Sequence, residues 1–432
     1  MISYSEAVDY LFNQRPAFER QGASGYKPGL DTTMALDAIY GHPHEHYHII
    51  HVAGSNGKGS VASLLAAILQ SQGYTVGLYT SPHFVDFNER IRVNGEPIPH
   101  DRVAEFVDNF ISSKASLDPS FFELTTILAF KYFEERKVDF AVVEVGLGGR
   151  LDSTNIVTPI LSIITSISLD HTEFLGNTIA SIASEKAGII KPNVPVVVGK
   201  VDDSARQVIA QKARWNGSKA SFVSDIYNNV SFENKDGYLT VETAEFGNIE
   251  CQLTGDYQRQ NIMAALAAIG ELRRGGVIID NDSVKDGFKN VCSLTAFRGR
   301  WTTLAQSPLV VCDSAHNIDG ITYAVKQLSA MPCDILHIVV GFMADKDLAR
   351  ILKLLPKQAT YYFTQASTPR ALKADKLKEM AAEVGLNGSS FCRIKDAYAA
   401  ALDSAKTTDV VYVGGSMYVL AELFEFIDKT KA

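Results

Sequence analysis

The sequence predicts an α/β fold arranged in two domains, on three observations. Short apolar runs alternate with helix-like segments along nearly the whole chain, the pattern of a largely parallel sheet with covering helices. The length of 432 residues exceeds what a single core usually holds. The alternation also restarts after Thr295-Ala-Phe-Arg-Gly-Arg300 and continues for about the length of an independent doubly wound domain. Residues 1–295 are therefore expected to form a first domain with a mostly parallel sheet, and residues 296–432 a C-terminal doubly wound α/β domain. No low-complexity linker intervenes, so the connection is short and the two domains can close on a shared cleft, where ligands often bind.

Each element follows in order. Residues 47–53 read as a buried strand and 61–69 as the apolar face of a helix, with Gly54-Ser-Asn-Gly-Lys-Gly-Ser60 between them. A turn in that position aims backbone N–H groups and a helix N-terminus at an anion. Glycines let the backbone approach phosphate oxygens, and the lysine adds a point charge. Ser60, just past Lys58, is placed to reach a magnesium ion. The spacing departs from the usual phosphate loop, because Val52 stands where the first glycine belongs and Gly59 separates Lys58 from Ser60. Between a strand and a helix, the loop still reads as a nucleotide site rather than a plain turn. A second strand at 75–79, a helix at 121–136 and a buried strand at 140–145 containing Glu144 come next. Strands at 161–165 and 194–198 flank a helix at 179–188. From 220 to 253, alternating residues and turn signals such as Asn-Lys-Asp-Gly indicate a small antiparallel excursion, and 257–273 returns to an Ala-rich helix. In the second domain, strands at 309–312, 335–340, 360–363 and 410–413 alternate with helices, one of them near 320–328.

Composition narrows the class. Hydrophobic residues make up 46% and charged residues 21%, as in ordinary globular proteins. The net charge of −8 argues against general nucleic-acid binding and against an anionic membrane surface, while leaving anionic small substrates open. Cys251, Cys292, Cys312, Cys333 and Cys392 are odd in number, far apart and without a C-x-x-C pair, which suits free thiols in a reducing compartment. No basic-then-apolar leader and no membrane-length apolar run is visible, so a cytoplasmic protein is expected.

Several residues carry candidate chemistry. Glu144 falls at the end of a strand expected beside the phosphate-loop strand, where a carboxylate can hold magnesium between nucleotide phosphates. Gly146-Leu-Gly-Gly-Arg150 follows and can bring backbone close to a ligand. Asp170-His171 lies just past another strand, although a histidine there is more often structural. Lys186, near a helix C-terminus, reads from its own surroundings as a solvated side chain; an ammonium has no lone pair for a metal. Asp313-Ser-Ala-His-Asn317 follows a buried strand and precedes a helix. It places His316 either to stabilise developing negative charge or shuttle a proton, or as an incidental neighbour of a helix-capping Asp or Ser. The alternating histidines His42, His44, His46 and His48 suggest a metal site, but a polar loop leading into the first strand accounts for them better.

Together these residues resemble the folylpolyglutamate synthases and dihydrofolate synthases, relatives of the muramyl-peptide ligases. The resemblance spans nearly the whole chain. It rests on Ala53-Gly-Ser-Asn-Gly-Lys-Gly-Ser60, Thr80-Ser-Pro-His83, Glu89-Arg-Ile-Arg-Val-Asn-Gly95, the Glu144–Asn155 stretch, Leu169-Asp-His-Thr172, Ser184-Glu-Lys-Ala-Gly-Ile189, Arg298-Gly-Arg300, Asp313-Ser-Ala-His-Asn317 and Ala344-Asp-Lys-Asp347. The Lys-Gly-Ser spacing is that family's own. The resemblance implies a Mur ligase-like fold and an ATP- and Mg2+-dependent amide ligase, a monomer in the cytoplasm. Such a ligase adds L-glutamate to dihydropteroate or to the glutamate tail of a reduced folate through an acyl phosphate. By match to the family pattern, Gly57, Lys58, Gly59 and Ser60 bind ATP phosphates, and Asn261, Arg300 and Asp313 contact the nucleotide. Ser81, Glu144, His171 and Lys186 are implied metal ligands, Lys186 as a carbamate. Lys186, Asp313 and His316 are the implied catalytic residues. Gly29, Leu30, Asp31, Phe122, Glu123, Leu151, Asp152 and Ser153 are implied to line the pterin pocket, with Ser153 standing where Ala is frequent. A muramyl-type ligase shares the loop, Glu144 and His171, but is expected to carry an extra N-terminal nucleotide domain, for which the 46 residues before Tyr47 are too few. A non-catalytic nucleotide-binding protein has no use for Lys186, Asp313 and His316 together.

Overall fold

The computed structural model describes residues 2–17, 27, 29–113, 116–227 and 230–431. The chain divides into two compact units, the first made of Met1–His83, Phe87–Gln252 and Gln258–Phe297, the second of Phe84–Asp86, Leu253–Tyr257 and Arg298–Ala432. The two short insertions have packing reasons to side with the second unit. The Phe84 ring meets Phe424 edge-on at 5.1 Å, and Gly255 lies so close to Trp301 that a Cβ there would stand 3.0 Å from the Trp301 Cβ.

The first unit is built on an eight-stranded sheet. Its strands are β1 (His48–Ala53), β2 (Val76–Tyr79), β3 (Ile91–Val93), β4 (Glu96–Pro97), β5 (Phe140–Glu144), β6 (Leu161–Ser166), β7 (Val196–Lys200) and β8 (Ala220–Phe222), ordered β4-β3-β2-β5-β1-β6-β7-β8. Only β3 and β4 are antiparallel to their neighbours. From Ile49 to Ala53 every residue of β1 is buried, the signature of a central strand covered on both faces. Its register beside β5 runs from His48↔Phe140 to Val52↔Glu144, which brings Glu144 to the mouth of the phosphate-loop strand. On the other side β1 pairs with β6 from Ile50↔Leu161 to Ala53↔Ile164. The helix Lys58–Ser71 is buried from Ser60 to Leu69; a helix apolar all round belongs inside. Helix Phe121–Glu135 contributes Phe121, Leu124, Ile127, Phe130 and Phe133 to an aromatic core on the β2 side of the sheet.

The expected excursion at 220–253 is corrected in part. Ala220–Phe222 pairs parallel with β7 and closes the main sheet as its edge, because Phe222 joins the core formed by Val196, Val198 and Ile209. The antiparallel piece is confined to β9 (Phe232–Lys235), β10 (Tyr238–Thr243) and β11 (Gly247–Cys251), a separate three-stranded sheet.

The second unit is a six-stranded sheet, β12 (Thr302–Gln306), β13 (Leu309–Asp313), β14 (Leu336–Val340), β15 (Thr360–Phe363), β16 (Gly388–Ser390) and β17 (Val410–Gly414), in the order β12-β13-β17-β14-β15-β16. All pairs are parallel except the edge strand β12 against β13. The chain skips a position between β13 and β14, leaving room for β17. Crossovers of this kind open a crevice at the carboxyl ends of the strands, where Asp313 stands. Among the described residues, no helix is long and apolar enough to cross a membrane.

Candidate functional site

The glycine-rich loop is held rigidly. The Thr165 hydroxyl donates to the Asn56 carbonyl at 2.7 Å, and the Ser166 hydroxyl both donates to that carbonyl and accepts from the Asn56 N–H. Ser55 N–H donates to the Ser166 carbonyl, and the Ser55 hydroxyl is tied to the Ser168 backbone. The loop is thus pinned to the end of β6 rather than floating over the helix. Two of its glycines are obligatory. Gly54 has φ +155° and a Cβ there would stand 1.9 Å from the Thr165 hydroxyl. Gly57, the N-cap of helix Lys58–Ser71, has φ +88°, and a Cβ there would stand 2.2 Å from Asn261 Oδ1. The structure therefore sets Asn261 directly on the loop, where Asn261 Nδ2 also donates to Gln258 Oε1 at 2.7 Å. Ser60 is buried and accepts from Gln258 Nε2 at 3.3 Å. Gly59 lies under the Glu144 carboxylate, its Cβ position 3.5 Å from Oε2.

Two lysines converge on one carbonyl. Lys58 Nζ donates to the Gly54 oxygen at 3.1 Å, and Lys186 Nζ donates to the same oxygen at 2.9 Å. Lys186 is only 4% exposed, which overturns the solvated reading of its side chain. Burial, reinforced by the neighbouring Lys58 charge, pushes its ammonium down to about 7, where a large share is neutral amine at physiological pH. Its helix, Ile179–Ala187, buries Ile182, Ala183, Lys186 and Ala187. The i, i+4 spacing from Ile182 was the sequence signal that Lys186 faces inward. With Gly54, Ser55, Lys58, Gly146 and His171, it lines a small cleft.

Glu144 Oε2 accepts from the Ser81 N–H at 3.1 Å, so those two expected ligands meet. His171 caps helix Thr172–Leu175 from a left-handed conformation and lies 3.8 Å from the Asp170 carboxylate. Among the described residues, no three His, Cys, Asp or Glu side chains gather as a metal site. A cation at this position would rest on Glu144 with hydroxyl and phosphate oxygens, a donor set that suits hard Mg2+.

Of the second group of expected residues, Phe122 and Asp152 touch the Gly146–Leu147 stretch that lines the cleft. The Phe122 ring covers Gly146, whose Cβ position is 2.5 Å from the ring edge, and stacks near Tyr79 at 5.9 Å. Glu123 is buried and closes a capping box with Ser120 at the start of helix Phe121–Glu135, while its other oxygen accepts from the Thr33 hydroxyl at 3.3 Å. Thr33 belongs to helix Asp31–Ile39, whose N-terminus carries Gly29, Leu30 and Asp31. Asp152 is buried and accepts from the Leu147 N–H at 2.8 Å and from the Thr154 N–H and hydroxyl; burial raises its carboxyl above the usual range. Leu151 is half-buried and Ser153 buried, on either side of it. The histidines of the early loop turn to carboxylates of the fold, His42 and His44 to Asp37 and His46 to Glu134.

In the second unit, Asp313 is 1% exposed. Its carboxylate accepts from the Tyr257 hydroxyl at 2.5 Å, the Trp301 N–H at 2.7 Å and the Ala315 N–H at 2.7 Å. Burial raises its carboxyl despite those bonds. Arg300 Nη1 donates to the Ser314 hydroxyl and to the Gly299 carbonyl. The cap of helix Ile318–Ser329 is Asn317, which accepts from the Gly320 N–H, so neither Asp313 nor Ser314 fills that role. His316 Nδ1 sits 3.0 Å from the Ser314 carbonyl. Sequence reasoning had not singled out Tyr257, Gln258 or His51. For His51, the available signal was a polar residue set between Ile50 and Val52 in the apolar part of the strand.

Comparison with known proteins shows the family and the fold. Residues 52–269 match the Mur ligase middle domain and residues 299–417 the Mur ligase, glutamate ligase domain. The folylpolyglutamate synthase of Lacticaseibacillus casei is 34% identical over 97% of this chain and 97% of its own. A probable bifunctional folylpolyglutamate synthase/dihydropteroate synthase of Haloferax volcanii is 37% identical over 98% of this chain, which spans only 50% of that protein. The structure of a bifunctional folylpolyglutamate synthase/dihydrofolate synthase from Yersinia pestis, complexed with AMPPNP and Mn ion, superposes with a TM-score of 0.82 at 28% identity, covering 99% of this chain and 98% of that one.

Proposed function

The chain belongs to the folylpolyglutamate synthase/dihydrofolate synthase family, and from that premise we propose that it is an ATP-dependent ligase joining L-glutamate to dihydropteroate or to the glutamate tail of a reduced folate. ADP and phosphate are the co-products. The observation that carries the reading is the cleft lined by the pinned glycine-rich loop, Lys58 and Lys186, with the Glu144 carboxylate lying over Gly59 of the same loop.

The chemistry follows from those groups. A carboxylate is a poor acyl donor, so it first takes the γ-phosphoryl group of ATP and becomes an acyl phosphate. The α-amine of glutamate then attacks the carbonyl carbon and phosphate leaves. Loop N–H groups and Lys58 hold the phosphates and offset the charge that spreads during transfer. Glu144 with Ser81 and His171 would hold Mg2+, which would supply further charge neutralisation there. Lys186, partly neutral at physiological pH, has the lone pair that adds carbon dioxide, and as a carbamate it would offer oxygens toward the same ion. Asn261, seated on Gly57, serves the nucleotide side. Phe122, Asp152 and Ser153 serve the pterin side, together with the Gly29–Asp31 segment and Glu123. Arg300 and Asp313 are read as nucleotide contacts, and His316 with Asp313 and Lys186 as the catalytic residues. The protein is read as a cytoplasmic monomer: none of the five cysteines is in a disulfide, as suits a reducing compartment, and each unit buries its own core.

ADP release measured with ATP, Mg2+ and L-glutamate tests the reading. It should appear with dihydropteroate or tetrahydrofolate as acceptor and depend on both acceptor and glutamate. Turnover with a muramyl peptide and neither pterin would reverse it.

A further inference from the structure

His51 takes no part in the chemistry above, yet it is a polar side chain at 0% exposure in the central strand. Its Nε2 lies 2.8 Å from the Thr154 hydroxyl, and its Nδ1 is buried with no hydrogen-bond partner. The Thr154 hydroxyl donates to Asp152 Oδ1 at 2.5 Å. A hydroxyl has a single proton, so toward His51 it can only accept, and Nε2 carries the hydrogen. Burial, with Lys191 adding to it, pushes the imidazole down to about 3, which keeps it neutral in this tautomer. A leucine would fill the same core without leaving Nδ1 unpaired, so what the imidazole adds is its one donated bond.

That bond feeds a chain with a destination. The Asp152 carboxylate, bonded to Thr154 through one oxygen, accepts from the Leu147 N–H through the other, with the Gly146 backbone amide beside it. Gly146, Leu147 and Gly148 form one wall of the cleft. Three residues beyond His51 on the same stretch of chain is Gly54, whose carbonyl collects Lys58 and Lys186. Both walls of the cleft are therefore referenced to β1, one through Gly54 and the other through His51.

We propose that His51 is a positioning residue: through Thr154 and Asp152 it sets the Gly146–Gly148 wall against the two lysines. This rests on the cleft being the reacting site of the ligase proposed above. Removing the Nε2–H weakens the polarisation of the Thr154 hydroxyl and loosens the carboxylate that holds the wall, which affects a step needing close alignment more than it affects binding.

The test compares His51→Leu, His51→Gln, Thr154→Val, Thr154→Ser and the His51→Leu/Thr154→Val double variant by steady-state ADP release and by amide hydrogen exchange at Leu147. His51→Leu and Thr154→Val should each lower kcat about ten-fold with KM for ATP changed less than about two-fold. Exchange at Leu147 should speed up in both. His51→Gln, whose Nε2 reaches the same place, and Thr154→Ser should recover most of both readouts. The double variant should be no worse than Thr154→Val alone. Equal behaviour of the Gln and Leu variants, or additive losses in the double, would overturn the proposal. If His51→Leu fails to fold, the Thr154 pair decides in the same way. Should the unaltered protein show no turnover, the ligase reading falls, and exchange at Leu147 still decides whether His51 holds the wall.

Discussion

Replacing Gly57 by alanine tests whether the loop is as constrained as its geometry implies. The residue sits at φ +88°, a region that costs an L-residue about 1–2 kcal/mol. The new Cβ would stand 2.2 Å from Asn261 Oδ1, so the amide must retreat by more than an ångström to reach ordinary contact. Asn261 is itself buried and hydrogen-bonded to Gln258, which is 0% exposed and donates to Ser60. Breaking that buried link adds about 1–3 kcal/mol. The sum, about 2–5 kcal/mol, should lower the thermal midpoint of the first unit by about 3–8 °C and weaken ATP binding, because the loop N–H groups shift with the helix start. Differential scanning calorimetry of Gly57→Ala, Asn261→Ala and the double variant separates the two contributions. With Asn261 truncated the collision disappears, so the double variant should be more stable than the sum of the single losses by about 1–3 kcal/mol. A Gly57→Ala midpoint within a degree of the unaltered protein, or strict additivity, would refute the reasoning.

Lys186 should give the fold a pH signature. Its amine titrates near 7 when folded, against an ordinary value of 10.5. Between those values the unfolded chain binds the extra proton, and stability rises with pH by up to about 1.4 kcal/mol per unit; the gain is absent below pH 7. Denaturation of Lys186→Met across pH 6–10 should lack that rise, and an identical rise in the variant would exclude Lys186 as its source. Glu144→Gln should lower ADP affinity at least ten-fold in Mg2+ and leave affinity in EDTA nearly unchanged, as read by titration calorimetry. Equal losses in both conditions would place the carboxylate's effect on folding instead. Tyr257→Phe removes a 2.5 Å donor from the buried Asp313 carboxylate and should destabilise the second unit by about 1–3 kcal/mol; an unchanged unfolding profile would show that the bond carries no weight.

The strand framework was legible because burial on both faces leaves unbroken apolar runs. The runs at 47–53 and 360–363 emerge as His48–Ala53 and Thr360–Phe363. Edges were less visible. β3, β4, β12 and β16 are short or half-exposed, and Ala220–Phe222 looked like part of a hairpin because three residues carry too little pattern to show which sheet they join. In the site, strand-end residues such as Glu144 followed from topology, since a parallel register carries the carboxylate to the loop. Lys186 did not, because its charge masked its place on the buried stripe of its helix. Asp313's commitment to Tyr257, Trp301 and Ala315 was equally hidden. Two of those partners are backbone amides, and the third lies 56 residues away.

The second unit draws on three separate pieces of polypeptide, and that has a practical consequence for dissection. A fragment beginning at Arg298 would lack the Tyr257 hydroxyl that serves Asp313, the Gly255 backbone against Trp301, and the Phe84 ring against Phe424. Modular exchange of the two halves between related enzymes therefore has no clean seam at that junction. A chimera keeps its C-terminal half intact only if residues 84–86 and 253–257 travel with it.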